Sequence, residues 1–165
     1  MKLAFASLAV LAIAAPAMAE GNIELGAGYS NFDTDNADIG ALTARGTYFI
    51  NPNIGVEGEA SFGVKDDDVG AAKVELDNSV AAFGVVQAPI AERVDLFARA
   101  GYGSAKYKVK APGFGSTSNT DDGLAYGVGA KVSLTERFGL RGDVTRYEGD
   151  ATDADVISVG GVMKF

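Results

Sequence analysis

Residues 94–103 read Val94-Asp95-Leu96-Phe97-Ala98-Arg99-Ala100-Gly101-Tyr102-Gly103. Val94, Leu96, Ala98, Ala100 and Tyr102 share one parity, while Asp95, Phe97, Arg99, Gly101 and Gly103 share the other. Successive side chains of a strand point to opposite faces. A period of two therefore predicts a strand with one apolar face and one face that carries charge and glycine.

The same reading extends in both directions. Period-two runs recur near residues 21–32, 39–50, 54–64, 73–88, 93–108, 123–134, 138–147 and 155–165, which makes eight predicted strands. The run at 73–88 is ambiguous: Val80, Ala82 and Val86 form one apolar set, but Phe83 and Val85 sit on the opposite parity. Connections alternate in size. Residues 51–53, 89–92 and 135–137 are tight turns, whereas 33–38, 65–72, 109–122 and 148–154 are longer and polar. Short turns at one end and longer loops at the other are the organisation of an outer-membrane barrel. Tyr48, Phe138 and Phe165 fall near the short-turn end of the apolar parity, and Tyr29, Phe62, Tyr102 and Tyr126 near the long-loop end. Two aromatic tiers bracketing Leu, Val, Ala and Gly match interfacial girdles.

Composition narrows the chemistry. The 165 residues include 22 acids and 14 bases and no His, Cys or Trp, for a net charge of −8. A disulfide framework, a zinc finger and any His-dependent nucleophile are excluded. The negative balance argues against nucleic acid. No Gly-x-Gly pair continues into a G-x-G-x-x-G helix start, so no dinucleotide site is expected. Residues 1–19 have the layout of a secretory signal: Lys2, an apolar run from Leu3 to Ala15, and Ala17-Met18-Ala19 as a small-x-small cleavage site. A mature domain over residues 20–165 is expected, and no later run is apolar for long enough to span a membrane as a helix. If the chain spans a membrane, it does so as a barrel.

Three segments carry a family resemblance: the signal ending Ala17-Met18-Ala19, the strand 95–103, and the closing Val159-Gly160-Gly161-Val162-Met163-Lys164-Phe165. The chain resembles the eight-stranded OmpA/OmpX-type outer-membrane β-barrels. The resemblance implies an all-β, antiparallel, up-and-down transmembrane barrel in the outer membrane of a Gram-negative bacterium. It also implies that Ile157, Val159, Met163 and Phe165 form the strand signal read by the barrel-assembly machinery. A monomer ending at its last strand, without a peptidoglycan-binding domain, is expected.

An eight-stranded barrel encloses an interior that side chains can fill. The inward parity supplies Glu24, Glu57, Glu59, Asp95 and Asp143, against Arg45, Arg99, Lys131, Arg141 and Lys164. Isolated buried charges are very costly, so equal numbers predict a paired network, with inward glycines leaving room for it. Two rivals use the same residues: a narrow ion path lined by these charges, and a carboxylate pair at Glu57 and Glu59 acting as acid and base. The enzymes of this architecture depend on a catalytic His that this chain lacks, so no enzyme activity and no cofactor are expected.

In the loops, Asp33, Asp35, Asp38, Asp66, Asp67, Asp68, Glu148, Asp150, Asp153 and Asp155 could attract Ca²⁺ or Mg²⁺, but the calcium-loop spacing fails and a solvated acidic surface is expected. Lys106, Lys108 and Lys110 continue the outward parity of Tyr102, which places three ammoniums beyond the girdle, level with lipopolysaccharide phosphates. The expected role is structural or interactive: envelope integrity, lipopolysaccharide contact or adhesion. The alternatives are a narrow pore, and a soluble periplasmic binding barrel whose faces would be inverted.

Overall fold

The computed structural model describes residues 22–34, 37–65, 67–69, 72–111, 113, 115–150 and 153–165. The expected signal, Asp35 and Asp66 lie outside them. Nine strands form: β1 (Ile23–Thr34), β2 (Ala37–Asn51), β3 (Ile54–Lys65), β4 (Asp67–Val69), β5 (Ala72–Ala91), β6 (Val94–Ala111), β7 (Gly115–Ser133), β8 (Phe138–Gly149) and β9 (Asp153–Lys164). All but β4 are staves of a barrel in the order β3-β2-β1-β9-β8-β7-β6-β5, closed by antiparallel pairing of β3 with β5. Following paired residues around the wall from Ser79 leads through Ser61, Thr43, Gly28, Gly160, Arg141, Lys131 and Asp95. The path returns to β5 at Pro89, ten residues from its start. That stagger on eight staves corresponds to a strand tilt of about 40°.

The tight turns are shaped by their own polar side chains. Asn51 Oδ1 accepts the backbone N–H groups of Asn53 and Ile54, each at 2.9 Å. Thr135 Oγ1 does the same for Arg137 and Phe138. Such side-chain caps substitute for ladder bonds where the chain reverses. At the seam between the first and last staves, the Phe165 N–H donates to the Ile23 carbonyl at 2.8 Å.

The two parities separate as the alternation demands. Leu25, Leu42, Val56, Leu96, Val128, Leu140, Val144, Ile157 and Val159 point outward and are exposed, as are all seven girdle aromatics. Glu24, Arg45, Glu57, Glu59, Arg99, Lys131, Arg141 and Asp143 point inward and are buried. A soluble barrel would place these sets the other way round, so that alternative is rejected: only a lipid environment suits this apolar exterior. The ambiguous strand resolves in the same frame. Phe83 and Val85 are inward at 3% exposure, while Val80 and Val86 face lipid at over 50%.

One expectation changes. All four stretches read as loops are largely strand among the described residues: 33–34 and 37–38, 65, 67–69 and 72, 109–111 and 115–122, and 148–149 and 153–154. β5, β6 and β7 run 20, 18 and 19 residues, against 12 for β1, β3, β8 and β9. Their ladder continues to Lys73↔Lys110 and Lys110↔Ser116, and β4 adds a short fourth strand beside β5. A flange of sheet therefore rises above the other staves. The polar composition hid it, because above the membrane the outer face of a strand carries Lys and Ser instead of Leu and Val.

Candidate functional site

Arg99 on β6 is the hub of the lumen. Its Nη1 donates to Glu57 Oε1 at 2.8 Å and to Glu59 Oε2 at 2.6 Å. Its Nη2 donates to Asp143 Oδ2 at 3.0 Å and to Thr145 Oγ1 at 2.6 Å. Arg141 grips both oxygens of Glu57 through Nη1 and Nη2, and its Nε reaches Asp143 Oδ1 at 3.0 Å. Arg45 donates through Nε to Glu59 Oε2 at 2.6 Å, and its Nη2 lies 3.7 Å from Asp143. Thr47 donates to Glu57 and Tyr147 to Glu59. Three guanidiniums thus meet three carboxylates, and the set is neutral. Arg99 also lies 4.2 Å over the Phe83 ring and Arg141 4.3 Å over Phe97. These aromatic faces stabilise cations that water does not reach.

Further tiers of paired or packed side chains lie on both sides of this network. At the short-turn end, Lys131 donates to both oxygens of Glu24 and to Gln87, and lies over Phe49. Lys164 stands 3.8 Å from Glu24 at the edge of this tier. Asp95 departs from the expected network. It is Lys131's neighbour across the β6–β7 ladder, yet the ammonium turns inward to Glu24, and Asp95 is left half-buried at the barrel end. Toward the long-loop end, hydroxyls link Ser158, Ser30, Thr43 and Ser61 at 2.7–2.8 Å. Beyond them Phe32, Ile39, Ala41, Leu76 and Val156 form an apolar cork, with Tyr107 and Tyr147 packed against it. Tyr147 joins the tiers: its hydroxyl serves Glu59 and its ring sits 6.3 Å from Phe32.

Sequence parity identified the charges but missed the partners Thr47, Thr145, Tyr147 and Gln87, and also the cork. Inward Thr, Ser and Phe at the same parity were the signal available. Glu57 and Glu59 are each held by two guanidiniums and one hydroxyl, an arrangement that satisfies both as carboxylates. Among the described residues no group of three or more carboxylates is placed to hold a metal ion.

The lysine row is the second candidate. Lys106 and Lys110 are exposed on the outer face of the flange. Lys108 donates to Asp77 Oδ1 at 2.7 Å, and this bond holds the Asp77 carboxyl below its usual pKa. Asp77 is the extra residue of a bulge between Leu76 and Asn78, which brings it to the lysine side. Lys106 is four residues and Lys110 eight residues beyond Tyr102. At about 3.3 Å per residue along tilted strands, they stand about 10 and 20 Å above the girdle. The row thus climbs away from the membrane instead of lying level with one phosphate plane. On the wall formed by β7, β8 and β9, Arg146 bridges Asp153 and Asp155, and the Tyr126 hydroxyl donates to Glu148 at 2.7 Å. Ile157 and Val159 on β9, and Phe165 just beyond it, are exposed on the lipid side, and Met163 is half-buried on the same parity.

A family profile described as outer membrane protein beta-barrel domain matches residues 4–165. Among solved structures, the Yersinia pestis attachment invasion locus protein Ail aligns with a TM-score of 0.65 and 22% identity, over 89% of this chain and 100% of that one. Neisserial surface protein A aligns at 0.69 and 15%, over 90% and 100%. The N-terminal barrel of Pseudomonas aeruginosa OprF aligns at 0.67 and 13%, over 89% and 100%. At these identities the likeness is one of fold. No curated protein matches the sequence.

Proposed function

Because this chain belongs to the outer membrane protein beta-barrel domain family, we propose that it is a sealed outer-membrane barrel that acts through its outer surface, contacting lipopolysaccharide through Lys106, Lys108 and Lys110. The filled lumen carries this reading. The ion network and cork occupy the axis, so the chemistry free to act is on the exterior and the flange. Ail, a relative in fold, has been solved with the heparin analogue sucrose octasulfate, a polyanion, and the lysine row offers the matching charge. Export through a signal ending at Ala19, recognition of Ile157, Val159, Met163 and Phe165 by the assembly machinery, a monomeric state and the absence of catalysis belong to the same proposal.

Changing all three lysines to Gln is expected to weaken lipopolysaccharide binding by about tenfold, at about 1 kcal/mol for Lys106 and less for the Asp77-paired Lys108 and for Lys110, which stands farthest from the membrane. The barrel should keep its heat-modifiable gel migration. Unchanged affinity in a titration against lipopolysaccharide vesicles would overturn the assignment. The refolded barrel is also expected to leave a planar bilayer silent once insertion is verified. Reproducible conductance steps would restore the narrow-pore alternative.

A further inference from the structure

The outer surface of β5 to β9 carries an open apolar groove of about 840 Å³. Ala98, Ala130 and Gly142 form its floor and are half-buried, whereas Val128, Val144 and Ile157 stand exposed along its rim. Ladder pairs fix where it lies. Ala130 faces Gly142, Gly142 faces Val159, and Val159 faces Tyr29. Four residues farther along these strands toward the long loops, Arg146 faces Asp155 and Asp155 faces Asp33. Rows of paired residues climb toward the long loops from β6 to β1, and each strand leans the opposite way as it rises. The carboxylates therefore stand over the groove and not beside it. At about 3.3 Å per residue, 4.8 Å between strands and a 40° tilt, Asp155, Asp33 and Asp153 are about 13–18 Å above Gly142. The hydrocarbon of one leaflet is about 15 Å thick. Between groove and carboxylates the upper aromatic tier is interrupted: Tyr126 on β7 and Tyr29 on β1 flank Val144 on β8 and Ile157 on β9.

Asp33, Glu148, Asp153 and Asp155 are exposed, and Arg146 bonds to Asp153 and Asp155. Four acids against this one base leave three net negative charges. Like charges directly opposite in a ladder repel, yet Asp155 faces Asp33 and Asp33 faces Asp38. A guest cation relieves that repulsion, and a lipid phosphate adds to it. We propose that the carboxylate row and the groove together hold one lipid with a cationic headgroup. Its ammonium sits at Asp33 and Asp155, and its chain passes Val144 and Ile157 through the gap in the aromatic tier to the floor at Ala98, Ala130 and Gly142. Charge complementarity selects the headgroup, and the height of the row above the floor selects a chain about one leaflet long. This site goes beyond the lipopolysaccharide reading and uses none of the lysine row.

The test uses the refolded full barrel with isotope-labelled alanine methyls, in nanodiscs of deuterated phosphatidylcholine, titrated with tetradecylammonium. Saturable nuclear Overhauser contacts are expected between the chain and the Ala98 and Ala130 methyls. Tetradecyl sulfate should give none, and neither should hexylammonium, whose chain ends above the groove. Asp33→Asn combined with Asp155→Asn is expected to weaken amine binding about tenfold. Gly142→Leu is expected to displace the chain from Ala130. The barrel tolerates it, since a Cβ there meets only the Ser158 carbonyl oxygen at 3.9 Å. Both variants should keep the parent's heat-modifiable migration. No saturable contact in the parent, equal contacts from the sulfate or from hexylammonium, undiminished binding by the Asn variant, or a chain still at Ala130 in Gly142→Leu would each overturn the proposal. So would sulfate contacts that require Mg²⁺, which would make a cation-bridged anionic lipid the occupant. The Gln variants of the lysine row should bind the amine as the parent does, so failure of the lipopolysaccharide reading and failure of this one are read separately.

Discussion

Arg99→Met is expected to destabilise the barrel by about 3–5 kcal/mol, read as a shift in denaturant unfolding in lipid vesicles. The guanidinium is fully buried and is a shared partner of Glu57, Glu59 and Asp143. Methionine fills much of its volume but leaves three carboxylates facing two guanidiniums. An uncompensated buried charge costs far more than a lost hydrogen bond. Adding Glu59→Gln to Arg99→Met restores the balance between Arg45, Arg141, Glu57 and Asp143, and the amide oxygen introduced at position 59 can still accept from the Tyr147 hydroxyl. The double variant should therefore be more stable than Arg99→Met alone. A single-variant loss below about 1 kcal/mol would mean that water or neighbouring groups compensate the charge, contrary to its burial.

Gly28→Val is expected to prevent barrel formation altogether. Gly28 and Gly160 face each other across the β1–β9 seam. A Cβ on Gly28 would run into the Val159 carbonyl oxygen and lie 2.7 Å from the Gly160 Cα. Both contacts are backbone, so relief requires moving the β1–β9 seam itself. β-branching adds a second atom to the same clash. The expected result is no heat-modifiable band and no protease-resistant core after refolding. Gly58→Ala is the control, since a Cβ there meets nothing within 4 Å. A folded Gly28→Val barrel would show that the seam is looser than its register implies.

Much of this was legible in the residues. The alternation at 94–103 put Arg99 inside and Tyr102 outside, and the structure keeps both. Equal counts of inward acids and bases raised the expectation of pairing, and Arg45, Arg99, Arg141 and Lys131 each meet a carboxylate in the lumen. Asp95 shows the limit. Parity assigns a face but not a depth, and Asp95 lies near the barrel end while Arg99, four residues on, lies at its centre. The flange shows another limit. Outside the membrane both faces of a strand can be polar, so the period-two hydropathy signal fades although the hydrogen-bonded ladder continues. Phe83 and Val85 show a third. An apolar residue on the inward parity is decided by which tier it meets, and Phe83 meets the Arg99 guanidinium.

By itself the sequence determined the strands, their faces and the aromatic tiers, because side-chain alternation is a local property of an extended chain. Only the tertiary structure decided which charges meet. Arg99 is bonded to Glu57, 42 residues away, and Lys131 to Glu24, 107 residues away. Those pairings follow from the ten-residue stagger with which the staves close, and no local pattern encodes it.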